Sequence, residues 1–292
     1  MKGAVIINPF LIPVSCVHQA ERLKEEFNKL GVNLDIITDG YLRTLLSNGK
    51  VESGLKDYQF IIYLDKDKYL SQSLNSLGIK LFNSHEAIRT CDDKGETYIA
   101  LADKGINLPN TLFGALCFRK ECVYTESEKQ EIIAKMGFPM IIKESYGSMG
   151  MGVHLVKDKV EFDQTIEKVR VRPHLFQEYL DYKVGVDVRV IVIGGKAVAS
   201  MERQNENDFR SNIAVGGKGK KIELPIEFRK TAEKTAKVLG LDYCGVDILY
   251  GRNGEPYVCE VNSNAFMDEI EKITGVNVAY LYAKHILETL RK

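Results

Sequence analysis

The chain has no excess of charge, no CxxC pair and no long apolar run, and each absence removes a class of function. Lys plus Arg equals Asp plus Glu at 40 each, so no global field favours nucleic acid or an anionic membrane. Any anion bound here needs a local site. No apolar stretch approaches the ~20 residues that a membrane helix requires. The opening Met1-Lys2, residues 4–7 and Asn8-Pro9 are too short and too soon broken for a signal peptide, and read as a first buried strand. The six cysteines, at 16, 91, 117, 122, 244 and 259, have no His partner at zinc spacing. Cys117 and Cys122 are the one close pair and read as two thiols, not a metal clip. A reduced, cytoplasmic protein is expected, with neither an internal repeat nor a low-complexity tract.

What is present is a globular enzyme's balance, 45% hydrophobic and 27% charged, on 292 residues. That length exceeds one ordinary core and predicts subdomains with shared interfaces. Residues 4–8, 32–38 and Phe60–Leu64 are apolar, β-branched runs. Between them, residues 16–30 place Val17, Ala20, Leu23, Phe27 and Leu30 on one helical stripe, closed by Gly31. Residues 69–77 repeat the helix-then-glycine pattern before Gly78. Strands alternating with helices predict an α/β domain with a parallel sheet covered on both faces, over 1–85. A helical connection follows, capped at Asp92 or Asp93, and opens a second unit over 86–176. The third, 177–292, is antiparallel (α+β) in character. Gly194-Gly195 and Asn253-Gly254 mark two hairpins there, and amphipathic helices cover 227–239 and 276–290.

The sharpest chemical signal lies in the second hairpin. Asn-Gly favours a type I′ two-residue turn. If Asn253 and Gly254 are its centre, counting outward sets Asp247 opposite Glu260, with Cβ atoms ~4.5–5.5 Å apart. Like charges so placed destabilise a sheet unless something positive lies between them. Asn262, two residues on, shares the face of Glu260. Two carboxylates and an amide carbonyl suit Mg²⁺ or Mn²⁺ and argue against zinc. The hairpin alone does not choose between such a cation and a neutralising Lys or Arg.

Three weaker signals precede it. Gly147, Gly150 and Gly152 can turn main-chain N–H groups toward an anion. Lys143, just before them, adds a point charge suited to phosphate. This is no Walker loop, because no Gly-Lys-Ser/Thr follows and a strand replaces the helix. Gln177-Glu178-Tyr179-Leu180 ends a strand where main-chain groups can pair with a base edge. Arg210, in the polar loop 204–220, has the planar fork for a phosphoryl or carboxylate group. Each alone is unremarkable, and their joint order carries the argument.

That order resembles the ATP-grasp superfamily, and within it the RimK-like α-L-glutamate ligases, from about Asn83 onward by motif and before that by fold pattern. Asp93-Lys94 looks like the family's first nucleotide lysine. Lys143 with Gly147, Ser148, Met149 and Gly150 looks like its second lysine and triphosphate-covering loop. Gln177, Glu178, Tyr179 and Leu180 resemble the adenine hinge, and Asp187 falls near the ribose position. Asp208-Phe209-Arg210-Ser211-Asn212 with Gly216-Gly217 resembles the most distinctive loop. The resemblance puts Arg210 on the γ-phosphate and the reacting carboxylate, and Asn212 on phosphate or metal. Asp247, Glu260 and Asn262 match the metal ligands one by one. Glu144 stands where relatives often carry proline, and Ser263-Asn264-Ala265-Phe266 where many carry proline or glycine. Those departures touch acceptor identity, not ATP binding.

The resemblance implies a carboxylate–amine ligase working through an acyl-phosphate, with ATP and Mg²⁺ (or Mn²⁺) as cofactors. Arg210 and Lys143 are its catalytic candidates. The partners implied are an amino acid such as L-glutamate and a carboxylate acceptor, whether small molecule, cofactor or protein. Glutathione-synthase and D-alanine–D-alanine ligase types are the enzymatic rivals, and a non-catalytic nucleotide-binding module is the other. Such ligases are often homo-oligomers, and no segment here marks an interface. No base for the amine stands out, although Glu202 and Asp208 are near in sequence.

Overall fold

The computed structural model describes residues 1–10, 14–119 and 121–291. Three main sheets follow one another along the chain, besides a two-stranded hairpin of Thr44–Ser47 and Lys50–Ser53. The first is parallel, with strands Lys2–Ile7, Asn33–Ile37, Phe60–Leu64 and Lys80–Phe82. Its two central strands are nearly continuous apolar runs because both faces are covered. Val5, Ile7 and Phe60 pack with Leu23 and Phe27 of the helix Val14–Lys29. Ala4, Ile6 and Ile61 pack with Leu70 and Leu74 of the helix Lys68–Ser76 on the other face. Val17 is 44% exposed and falls off the predicted stripe, while Cys16 is buried instead.

The second sheet, antiparallel, holds Met140–Glu144 between Val153–Val156 and His174–Glu178, with Thr111–Phe113 at its edge. Helices Glu126–Met136 and Lys159–Val169 cover one face and close a separate core around Phe162 and Phe176. Thr125 and Glu128 form a capping box at the first of these helices, which fixes its start.

The third sheet orders Lys218–Lys221, Lys196–Gln204, Val186–Ile193, Tyr243–Tyr250 and Pro256–Asn262, all antiparallel. Gly194 and Gly195 both have positive φ, as a type I′ turn demands. The helix Ile226–Val238 packs Phe228, Ala232 and Ala236 on one face of this sheet. Its other face shares a core with the first sheet and the helix Val278–Leu290. The first and third sheets are thus bound through one hydrophobic core, and the second keeps its own.

The last hairpin differs from the predicted turn in an informative way. Gly251 N–H donates to Glu255 at 2.7 Å and Gly254 N–H to Gly251 at 2.9 Å, with Gly254 alone of the three loop residues at positive φ. The loop is therefore Arg252, Asn253 and Gly254, one residue longer than a type I′ turn. Register shifts again between Asp247 and Ile248, where Ile248 pairs with Val258 and Asp247 with Glu260. Cys259 is the extra residue of a β-bulge. The bulge cancels the longer loop, so Asp247 still faces Glu260. No helix among the described residues is long and apolar enough to cross a membrane.

Candidate active site

The cleft lies between the second and third sheets. Asp93 caps the helix Lys94–Leu101 by accepting from Gly95 and Glu96, which sets Lys94 at its first position. Lys94 is buried, with Nζ 3.0 Å from the Gly147 carbonyl and 3.5 Å from Glu260. Lys143 ends its strand equally buried, 3.7 Å from Cys259 Sγ on the bulge. Burial opposes its charge, but Cys259, Tyr98 and Glu260 around it raise its pKa. Tyr98 also donates to the Cys259 carbonyl at 2.6 Å and so braces the bulge.

The glycine-rich loop is braced from both ends. Lys94 holds Gly147, and Arg210 Nη1 donates to the Gly150 carbonyl at 2.9 Å. A Cβ on Gly150 would approach Arg210 and Asn212 to 3.2 Å at a φ of +76°, so glycine is what lets this loop lie so low. Arg210 is itself gripped by both oxygens of Asp208, at 3.0 and 2.7 Å. That hydrogen bonding lowers the Asp208 pKa.

Beneath the loop is a cavity of about 100 Å³. Of the residues singled out above, Lys94, Lys143, Gly150, Tyr179, Leu180, Arg210, Ser211, Asn212, Asp247 and Glu260 reach its wall. So do Gln177 and Glu178, but their side chains are occupied. Gln177 donates to Thr111 at 2.9 Å, and Glu178 accepts from the main chain and side chain of Asn110. The Glu178 N–H is also taken, by the Asn110 carbonyl at 3.0 Å, so the main chain of Tyr179 and Leu180 is what this hinge offers a ligand. Ser148 and Met149 do not reach this cavity and instead line a second one, of about 400 Å³. Asn212 and Glu260 border both. Asn262 opens only on the second.

The sequence reading missed a charge ladder across the third sheet. Arg203 pairs in register with Asp187, and Arg189 with Asp247. Arg189 grips Asp247 through two bonds of 2.7 and 2.6 Å. Arg203 is 2% exposed, bonds both oxygens of Asp187 and reaches Asp247 at 3.0 Å. Burial opposes the Asp247 charge, yet the two guanidinium groups lower its pKa. Asp187 is thus spent on Arg203, although it lies on the wall of the first cavity. The base candidates are also engaged. Glu202 holds Lys220 and the Tyr250 hydroxyl, and Asp208 holds Arg210. Alternating hydrophobicity in two strands signals none of this, because the pairing depends on which strands become neighbours.

Do these residues fit a divalent cation? No group of three His, Cys, Asp or Glu side chains among the described residues could hold a metal, so the third donor has to be the Asn262 amide. Its Nδ2 is buried without a hydrogen-bond partner, so no hydrogen bond from that group ties the amide away from an ion at Oδ1. Three N–H groups bond Asp247, which leaves lone-pair capacity on that carboxylate. The donors fit an oxygen-seeking ion with the two arginines as permanent neighbours.

A two-lobed clamp over a lysine-lined cavity, with Asp247 and Glu260 on its wall and Asn262 just beyond, defines the ATP-grasp class. Solved structures agree in fold: the D-alanine–D-alanine ligase of Bacillus anthracis superposes with a TM-score of 0.74 at 21% identity, covering 100% of this chain and 97% of that one. A RimK-domain ATP-grasp protein of Sphaerobacter thermophilus gives 0.72 at 20% identity, over 98% and 100%. The RimK-like ATP-grasp domain matches residues 91–287, and the chain belongs to that family of carboxylate–amine ligases. An uncharacterised Mycoplasma pneumoniae protein is 32% identical over 94% of this chain and 96% of its own length. A probable α-L-glutamate ligase of Maridesulfovibrio salexigens is 39% identical over 70% and 65%. The β-citrylglutamate synthase B of Danio rerio is 33% identical over 77% and 55%. The chain thus spans a little over half to two thirds of these two functionally named relatives.

Proposed function

We propose that the protein is an ATP-dependent ligase that joins the amine of L-glutamate to a carboxylate acceptor through an acyl-phosphate. The observation that carries this reading is the junction of the two cavities. Lys94, Lys143 and Arg210 line the smaller cavity, Lys94 lies 3.5 Å from Glu260, and the Glu260–Asn262 edge opens directly into the larger. A nucleotide in the first would present its terminal phosphate to a carboxylate in the second. Glutamate as donor rests on the relatives named glutamate ligase and citrylglutamate synthase.

A free carboxylate is a poor acyl donor because its leaving group would be oxide. Phosphorylation makes the leaving group phosphate, and catalysis then needs positioning and charge neutralisation. Lys94 and Lys143 would take the polyphosphate charge. Arg210 would exchange the Gly150 carbonyl for the reacting carboxylate and stabilise the oxyanion formed on amine attack. Leu180 and the hinge main chain would take the base. The loop held by Lys94 and Arg210 would exclude water that otherwise hydrolyses the intermediate. Asp247, Glu260 and Asn262 would hold Mg²⁺, which would supply neutralisation of the polyphosphate charge.

The test is product identity. The purified protein is incubated with ATP and Mg²⁺, with L-glutamate as amine, and with citrate, L-glutamate or a glutamate-terminated peptide as carboxylate. ADP and phosphate are expected only when both partners are present. AMP and pyrophosphate would mean adenylation and sink the mechanism, as would the absence of turnover with every pair.

A further inference from the structure

An ammonium group has no lone pair and cannot attack a carbonyl carbon until a base takes a proton. The nucleotide cavity supplies no free base, since Asp247 and Asp187 are both held by arginine. Beyond Glu260, the second cavity carries three further carboxylates, Asp65, Asp268 and Glu269. Asp65 accepts from the Asn8 amide at 3.2 Å and from the Lys66 main chain at 2.7 Å. Asp268 lies 2.6 Å from His18 Nδ1. Glu269, half-buried in the first turn of the helix Asp268–Thr274, has no hydrogen bond or ion pair among the described residues.

We propose that Glu269 receives the amine substrate in the second cavity, pairing with its ammonium group and taking the proton whose loss makes it a nucleophile. This rests on the ligase reading above. The charges around Glu269 leave that task to it. Arg189 and Arg203 are committed to the aspartates, and Lys66 pairs with Asp92 at 2.9 Å. Lys272 lies on the same short helix as Glu269. Burial outweighs Arg203, Arg189 and Lys272 and raises the Glu269 pKa, which moves a carboxylate toward the range of a working base. On the same wall, Asn264 donates its Nδ2 to the Leu64 carbonyl at 2.8 Å and leaves its buried Oδ1 without a donor. That oxygen is a second acceptor for an N–H.

The step balances. One ammonium proton passes to Glu269, and the freed nitrogen pair forms the C–N bond. The C–O bond to the phosphoryl group breaks, and its electrons and the remaining surplus proton leave with phosphate.

Hydroxylamine separates this role from a structural one, because it is largely uncharged at neutral pH and needs no base. With the carboxylates named above, Glu269→Gln is expected to lose about 10²–10⁴-fold in turnover with L-glutamate. Hydroxamate formation with hydroxylamine should stay within about two-fold of the unmodified protein. Glu269→Asp should recover part of the loss. An equal fall with both amines, or unchanged turnover with L-glutamate, would overturn the assignment. If the unmodified protein makes no hydroxamate at all, the ligase reading itself fails and the assignment falls with it.

Discussion

The two cavities meet at Asn212 and Glu260 yet are built differently. The smaller is walled by Ile141, Val153, Leu180 and Leu249, and the carboxylates on its wall, Glu178, Asp187, Asp247 and Glu260, are each already engaged by a neighbour. Such a wall fits a flat apolar body joined to a polyanion. The larger draws its wall from the first sheet's loops, the tip of the glycine-rich loop and the segment after Asn262, and both signs of charge are mixed in it. It fits compact zwitterions. A narrow cavity whose carboxylates are all engaged selects first by shape, whereas the wider one selects by which charges remain unpaired.

The largest expected effect comes from the residue that serves the junction. Arg210→Ala should lower turnover by about 10³–10⁵-fold, the scale of an arginine at a transferring phosphoryl group. Nucleotide affinity should stay nearly unchanged, since Lys94 and Lys143 remain. Equal losses in nucleotide Kd and kcat would mean that the brace on Gly150 matters more than the chemistry.

Arg203→Met comes next and reaches both cavities. It strips the buried Asp187 of its partner and Asp247 of one of two. An uncompensated buried carboxylate costs about 3–5 kcal/mol, read as a lower midpoint in urea unfolding. Asp187→Leu combined with Arg203→Met should recover much of that loss, because the pair leaves together. Additive losses would show that the two side chains are stabilised separately.

Local pattern made much of this molecule legible. The run Phe60–Leu64 and the Gly194-Gly195 hairpin are where period and turn chemistry put them. Asp247 facing Glu260 was reached by a count that contained two errors of opposite sign, a longer loop and a bulge at Cys259. A bulge leaves no mark in sequence, because packing around Tyr98 and Lys143 holds it in place. The short strands Thr44–Ser47 and Lys218–Lys221 were too polar or too brief to stand out. In the ladder Asp187–Arg203–Asp247–Arg189, the first rung crosses the Gly194-Gly195 hairpin, whose register shifts at Ile191/Val192, and the Arg189–Asp247 rung depends on strands Val186–Ile193 and Tyr243–Tyr250 becoming neighbours across a long connection. Glu269 stayed hidden for the same reason: Ser15, Asp65, Ser148 and Glu269 meet only after three elements pack.

The smallest predicted effect is the most direct check that the cavities act separately. Leu249 lies on the wall of the first cavity and belongs to none of the four hydrophobic clusters. Its truncation should therefore cost little stability. What it removes is apolar surface against the base, worth about 1–2 kcal/mol at the usual coefficient for buried area. Leu249→Ala should accordingly weaken ATP binding by roughly 5–30-fold, measured by calorimetry without the other substrates. The KM for the amine, taken at saturating ATP, should not move, because Leu249 does not reach the second cavity. A parallel rise in both constants would mean that the walls are coupled through the sheet, and that reading the two cavities as independent sites is wrong.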